Sequence, residues 1–124
     1  MFYRFRFDGY VGAILKHSGF DGDDALDFWP VGTTKKWVET GLKMKLKPVE
    51  AAGLAVAYIA YRRRHAGQLS RKAAQFIVLG VHEIAERHRA RIEILDRIYL
   101  VAFCWVVGQP ADTPFSEGHL LDLS

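Results

Sequence analysis

The sequence holds a single cysteine, Cys104, among 124 residues. No disulfide can form within one chain, so a disulfide-stapled scaffold is excluded. The thiol lies in the apolar run IYLVAFCWVV. There it reads as a small buried hydrophobe rather than a thiolate nucleophile, and it favours a reducing, cytoplasmic setting. Long apolar runs are also missing. The two longest stretches, residues 51–61 and 98–107, fall well short of the roughly 20 residues that span a bilayer. The opening MFYRFRFDG lacks the apolar stretch and small-residue cleavage site of a signal peptide. The expectation is a soluble cytoplasmic protein with no membrane partner.

The common catalytic signatures are absent as well. The chain has no G-x-x-x-x-G-K-[ST] phosphate loop, no G-x-G-x-x-G dinucleotide turn and no G-x-S-x-G nucleophile elbow. The acidic stretch DGDD lacks the twelve-residue ligand pattern and closing glutamate of a calcium loop. The segment around LGV has the look of a helix-turn-helix turn, but bulky Phe76 stands where that motif wants a small residue. No cofactor is expected, and a catalytic role is not favoured.

One motif needs a closer reading. In VHEIAERH, His82, Glu83 and Glu86 form H-E-x-x-E, one residue away from the H-E-x-x-H of zinc proteases. At about 100° per residue, Ala74, Ile77, Val81, Ile84 and Ala85 share one face of a helix, with His88 near its middle. His82 and Glu86 fall on the other side. His88 is therefore expected inward and His82 outward, with no third ligand to complete a metal site.

What the chain does contain is a typical globular composition: half of its residues are apolar and a quarter charged. This fits one domain over residues 1–124. Charge is unevenly spread. Residues 1–34 carry three basic and five acidic side chains, net −2; residues 35–97 carry fourteen basic and six acidic, net +8; residues 98–124 carry three acidic and no basic, net −3. Lys43, Lys45, Lys47, Arg62, Arg63, Arg64, Arg71 and Lys72 are the candidate contacts for an acidic partner, of which nucleic acid is the most economical.

Periodicity points to an α+β fold. FYRFRF alternates, placing Tyr3, Phe5 and Phe7 on one face, and Asp8-Gly9 followed by YVGAIL is a hairpin signal. HSGFDGDD reads as loop and ALDFW as a short turn. Within residues 35–47, LKMKLK alternates strictly, with a lysine outer face suited to an edge strand. A small antiparallel sheet built from the N-terminal hairpin and the segment 35–47, packed on two or three helices, is the expected architecture.

The helices are marked by their ends. Pro48 suits a first helical position, Glu50 the first turn, Arg62 to Arg64 the last, and Gly67 the stop. The helix over residues 48–64 is apolar nearly all round and belongs at the centre of the fold or in a subunit interface. Ser70 caps a second helix running from residue 71 to about 91. A third element over residues 92–107 is read as helix from the spacing of Ile92, Leu95, Tyr99 and Ala102, although its second half, residues 98–107, is rich in β-branched and aromatic residues and fits a strand as well.

Phe76 and Leu79 stand off the apolar stripe and are candidate interface residues for a homodimer. The favoured function is a small, non-catalytic binding or regulatory protein. The alternatives are a small-ligand binder or enzyme with a pocket lined by Trp29, Trp37 and Tyr58, and a protein–protein adaptor insensitive to salt.

Overall fold

Tyr3, Phe7, Tyr10, Val11 and Ile14 lie on one side of a single helix, α1 (Phe2–His17), rather than on a hairpin. The computed structural model describes residues 2–96, and these contain no strand. The expected sheet is therefore absent from the described residues, and its segments are mostly helix. In α1 the alternation of FYRFRF spans too few residues to decide the period. The apolar positions 3, 7, 10, 11 and 14 continue across Asp8-Gly9 with helical spacing. One ring pays the difference between the two periods: Phe5, expected inward, is 80% exposed. Gly9 and Gly12 sit on the outer face, where a Cβ would meet nothing within 4 Å.

A short α2 (Gly22–Phe28) follows, absorbing part of the expected loop and turn, and buries Phe28. Segment 35–47, expected as an edge strand, is mostly α3 (Thr33–Lys43). Its alternation fails because Leu42 is exposed while Leu46 is buried. Between them Lys45 has φ 57°, the left-handed conformation, which turns the chain from α3 into the next helix.

The remaining helices match their end signals. α4 (Pro48–His65) carries proline in its first turn, and every residue from Val49 to Tyr58 is buried. It is the central element, one of the two places that its all-round apolarity allows. α5 (Arg71–Arg87) begins at Ser70, whose Oγ accepts from the Ala73 N–H at 3.1 Å. Residues 92–96 are helical; the rest of the expected element over 92–107, Cys104 included, lies outside the described residues. Side chains from all five helices share one core around α4. Arg91, just past the end of α5, binds Glu50 in the first turn of α4, so the two helices run antiparallel.

Where α1 meets α5 the backbones come close. A Cβ on Gly80 would overlap the Ser18 hydroxyl and stand 3.0 Å from the Ile14 carbonyl oxygen. Among the described residues, no helix is long and apolar enough to cross a membrane.

Candidate functional site

Four helices end in the same way. In each, the residue after the cap takes a left-handed conformation, and two N–H groups turn back onto the last carbonyls. For α1 that residue is Gly19, with Phe20 N–H donating to Leu15 at 2.8 Å; for α4 it is Gly67, with Gln68 N–H donating to Arg63 at 2.8 Å. Glycine is the ordinary choice there because it has no Cβ to collide with the backbone.

The other two ends break this rule. α3 turns at Lys45 (φ 57°), with Leu46 N–H donating to Gly41 at 2.9 Å; α5 turns at Arg89 (φ 59°), with Ala90 N–H donating to Ala85 at 3.0 Å. These are the non-glycine residues with positive φ among those described. Each costs about 1–2 kcal/mol of backbone strain, and both are cationic.

Both turns sit at one end of the bundle and hold each other. The Arg91 guanidinium donates to the Lys45 carbonyl at 3.2 Å, and the Lys47 ammonium donates to the Arg89 carbonyl at 3.3 Å. Beneath them lies Glu50, 0% exposed. Its carboxylate accepts from the Lys47 N–H at 2.7 Å, from the Arg91 N–H at 2.8 Å, and from the Arg91 side chain at 2.9 Å through both Nε and Nη2. Burial alone would raise the Glu50 pKa, but the Arg91 side-chain and backbone bonds, the Lys47 N–H and the Arg91 charge outweigh it and hold the carboxyl below its usual value.

Tyr3 completes the same end, its hydroxyl donating to the Leu46 carbonyl at 2.8 Å. Burial, and then the Glu50 charge, push its pKa up to about 12. The neutral phenol therefore favours the fold below the unfolded value near 10, and that contribution is lost as pH rises through about 12.

The structure divides the basic residues singled out in the sequence. Lys43, Lys45 and Lys47 lie at the junction of α3 and α4, joined there by Arg89 and Arg91 across the chain. Arg62, Arg63 and Arg64 lie in the last turn of α4, and Arg71 and Lys72 open α5. Fourteen residues of α4 lie between Lys47 and Arg62, roughly 22 Å of helix. The two groups do not form one surface. Several of the second group are also engaged locally. Arg62 donates to the Tyr58 hydroxyl at 2.9 Å, and Arg63 donates to the Asp27 carbonyl at 2.9 Å while stacking 4.9 Å from the Phe28 ring.

Sequence reasoning missed Arg89 and Arg91, and read Glu50 only as a complement to the helix dipole. No local signal marks a pair 41 residues apart.

The histidine assignments are reversed. His88 is exposed and meets Tyr10 edge-on at 4.9 Å, whereas His82 is half-buried, its Nδ1 3.5 Å from Glu86. α5 stops at Arg87 and the chain turns at Arg89, so the register that put His88 on the apolar stripe ends one residue too early. Among the described residues, no three His, Cys, Asp or Glu side chains gather in a way that could hold a metal ion.

Of the three aromatics expected to line a pocket, Trp37 and Tyr58 border a cleft of about 450 Å³ between the start of α3 and the end of α4. Trp29 instead donates to Thr34 Oγ1 at 2.9 Å and packs on Phe7. Phe76 and Leu79 are both exposed on α5.

Compared with known proteins, the chain matches no family model, no curated protein and no solved structure.

Proposed function

We propose that the protein is a non-catalytic binding protein of the cytoplasm, whose end bearing Lys43, Lys45, Lys47 and Arg89 engages the phosphate backbone of a nucleic acid. The observation that carries this reading is the pair of left-handed turns occupied by Lys45 and Arg89. Strained backbone held in place by surrounding bonds collects where function requires a particular side chain. Here the strain keeps two cations at helix ends where glycine would fit at lower cost. Glu50 does not neutralise them, because its carboxylate is buried and bonded to Arg91 and the Lys47 backbone.

Binding of a labelled oligonucleotide, followed by fluorescence anisotropy across a salt series, tests the reading. Affinity should fall linearly in log–log form, by roughly 0.9 per phosphate neutralised on a duplex. Lys43→Gln with Lys45→Gln should lower that slope by about two. Arg71→Gln with Lys72→Gln, at the far end of the bundle, should leave it unchanged. Binding of polyglutamate but not of any oligonucleotide would move the partner class to acidic protein, and no binding of either at low salt would remove the proposal.

A second reading, self-association, is supported by Phe76 and Leu79, large apolar side chains exposed three residues apart on α5. Residues at that spacing share a helix face. Sedimentation equilibrium should show a dimer, and Phe76→Ser with Leu79→Ser should convert it to monomer. A wild-type monomer at all concentrations would rule this reading out.

A further inference from the structure

We infer that the nucleic acid taken by the basic end of the bundle is single-stranded, and that the exposed rings of Phe2 and Phe5 stack on its bases. The inference rests on the proposal that this end binds phosphate, and it names the form of nucleic acid bound there.

Placement comes first. The Tyr3 hydroxyl donates to the Leu46 carbonyl at 2.8 Å, which fixes the first turn of α1 at the junction of α3 and α4, between Lys45 and Lys47. Phe2 and Phe5 bracket Tyr3 in the same turn. Three residues apart, they are neighbours on one helix face, with Cβ atoms about 5–6 Å from each other. Phe2 is 77% exposed and Phe5 80%. One ring in water is ordinary; two adjacent rings left uncovered mark a contact surface.

Charge accompanies the rings. Arg4 and Arg6, both exposed, adjoin them in the chain. Lys43, Lys45, Lys47 and Arg89 are exposed at the same end of the bundle. Asp8, the next charge along α1, accepts from the Thr34 hydroxyl at 3.0 Å, at the opposite end of α3 from Lys43.

The chemistry then separates two kinds of strand. Cations meet the phosphates of either form. In a duplex the base pairs cover one another's faces and the grooves offer base edges. A phenyl ring has no donor or acceptor with which to read an edge. An unpaired strand offers base faces, and an aromatic ring covers them whatever the base. Cations that track the backbone beside rings that take the bases are the two components of single-strand binding.

The test uses the full chain and labelled oligonucleotides of about 12 nucleotides, followed by fluorescence anisotropy at one salt concentration. The probes are oligothymidylate, a duplex of the same length, and a strand of abasic sites, which keeps the phosphates and lacks the bases. Oligothymidylate should bind at least about tenfold more tightly than the abasic strand, and more tightly than the duplex despite the duplex's denser charge. Phe2→Ala and Phe5→Ala should each weaken oligothymidylate binding about tenfold, with abasic binding and the salt slope unchanged. Both side chains are exposed, so thermal stability should hold. Phe5→Trp should retain the affinity; Phe5→Leu, apolar but without a π face, should lose it. Equal affinity for all three probes, or oligothymidylate binding untouched by both alanine variants, would overturn the inference and leave the phosphate reading standing. No binding of any oligonucleotide at low salt would remove both. Ring-dependent binding of phosphatidylserine vesicles, with no preference for oligothymidylate over the abasic strand, would reassign the rings to a membrane surface and overturn the inference.

Discussion

Arg91→Met should lower the free energy of unfolding by about 3–4 kcal/mol at neutral pH, the range for breaking a buried ion pair by removing one partner. The cost arises at Glu50, not at Arg91. Arg91 is 41% exposed and could be rehydrated, whereas Glu50 is 0% exposed. Without the guanidinium, the carboxylate keeps only the Lys47 and Arg91 backbone N–H groups. Glu50→Gln should accordingly cost less than Arg91→Met, because a neutral amide needs less compensation and the stranded arginine can reach water.

The same reasoning fixes a pH dependence. In the wild type the Glu50 pKa is depressed, so its contribution is present above the unfolded value near 4.5 and is lost as pH falls through the folded value below it. In Arg91→Met, burial dominates and the carboxyl protonates more readily. The stability gap between the two proteins should therefore be widest at pH 7 and narrow by pH 4. Urea unfolding at both pH values measures it. A gap below 1 kcal/mol at pH 7, or one that does not change, would contradict this account of the buried pair.

Gly80→Val is the second large effect, a loss of roughly 2–3 kcal/mol from overpacking where α1 crosses α5. The new side chain would meet the Ser18 hydroxyl, which is buried and already bonded to the Ile14 carbonyl at 2.7 Å. Adding Ser18→Ala should recover part of the loss, since the two positions contact each other and are not additive. Gly9→Ala and Gly12→Ala provide the opposite case. They lie in helix with open space around them, and each should stabilise by about 1 kcal/mol through helix propensity alone. Thermal unfolding of the set checks the signs. A Gly80→Val protein as stable as wild type would mean that the helices do not approach as described.

The contrast among these glycines shows what could be read from sequence and what could not. Pro48, Glu50, Gly67 and Ser70 announced α4 and α5, because caps and stops act within a few residues. The first half of the chain misled for the same local reason. Six alternating residues fit a strand and a helix equally well, and Asp8-Gly9 is a turn signal that α1 overrides by burying Phe7, Val11 and Ile14 together. The lysines of 43–47 looked continuous with Arg62 to Arg64 because α4 is invisible as a distance in a linear charge count. The brace of Glu50 with Arg91, and the carbonyl exchange between the Lys45 and Arg89 turns, depend on tertiary contacts that leave no mark at either position.

The central claim is that Lys45 and Arg89 occupy strained turns for the sake of their charge. The most direct measurement is the double variant Lys45→Gly with Arg89→Gly, examined for both thermal stability and oligonucleotide affinity. The two brace bonds to these residues use backbone carbonyls and survive the change. Relief of strain, offset by the greater freedom of glycine in the unfolded chain, should stabilise by about 0.5–1 kcal/mol per site, or roughly 5 °C in all. Affinity should fall and the salt slope drop by about two. A double variant that is more stable and binds as well as wild type would contradict the claim.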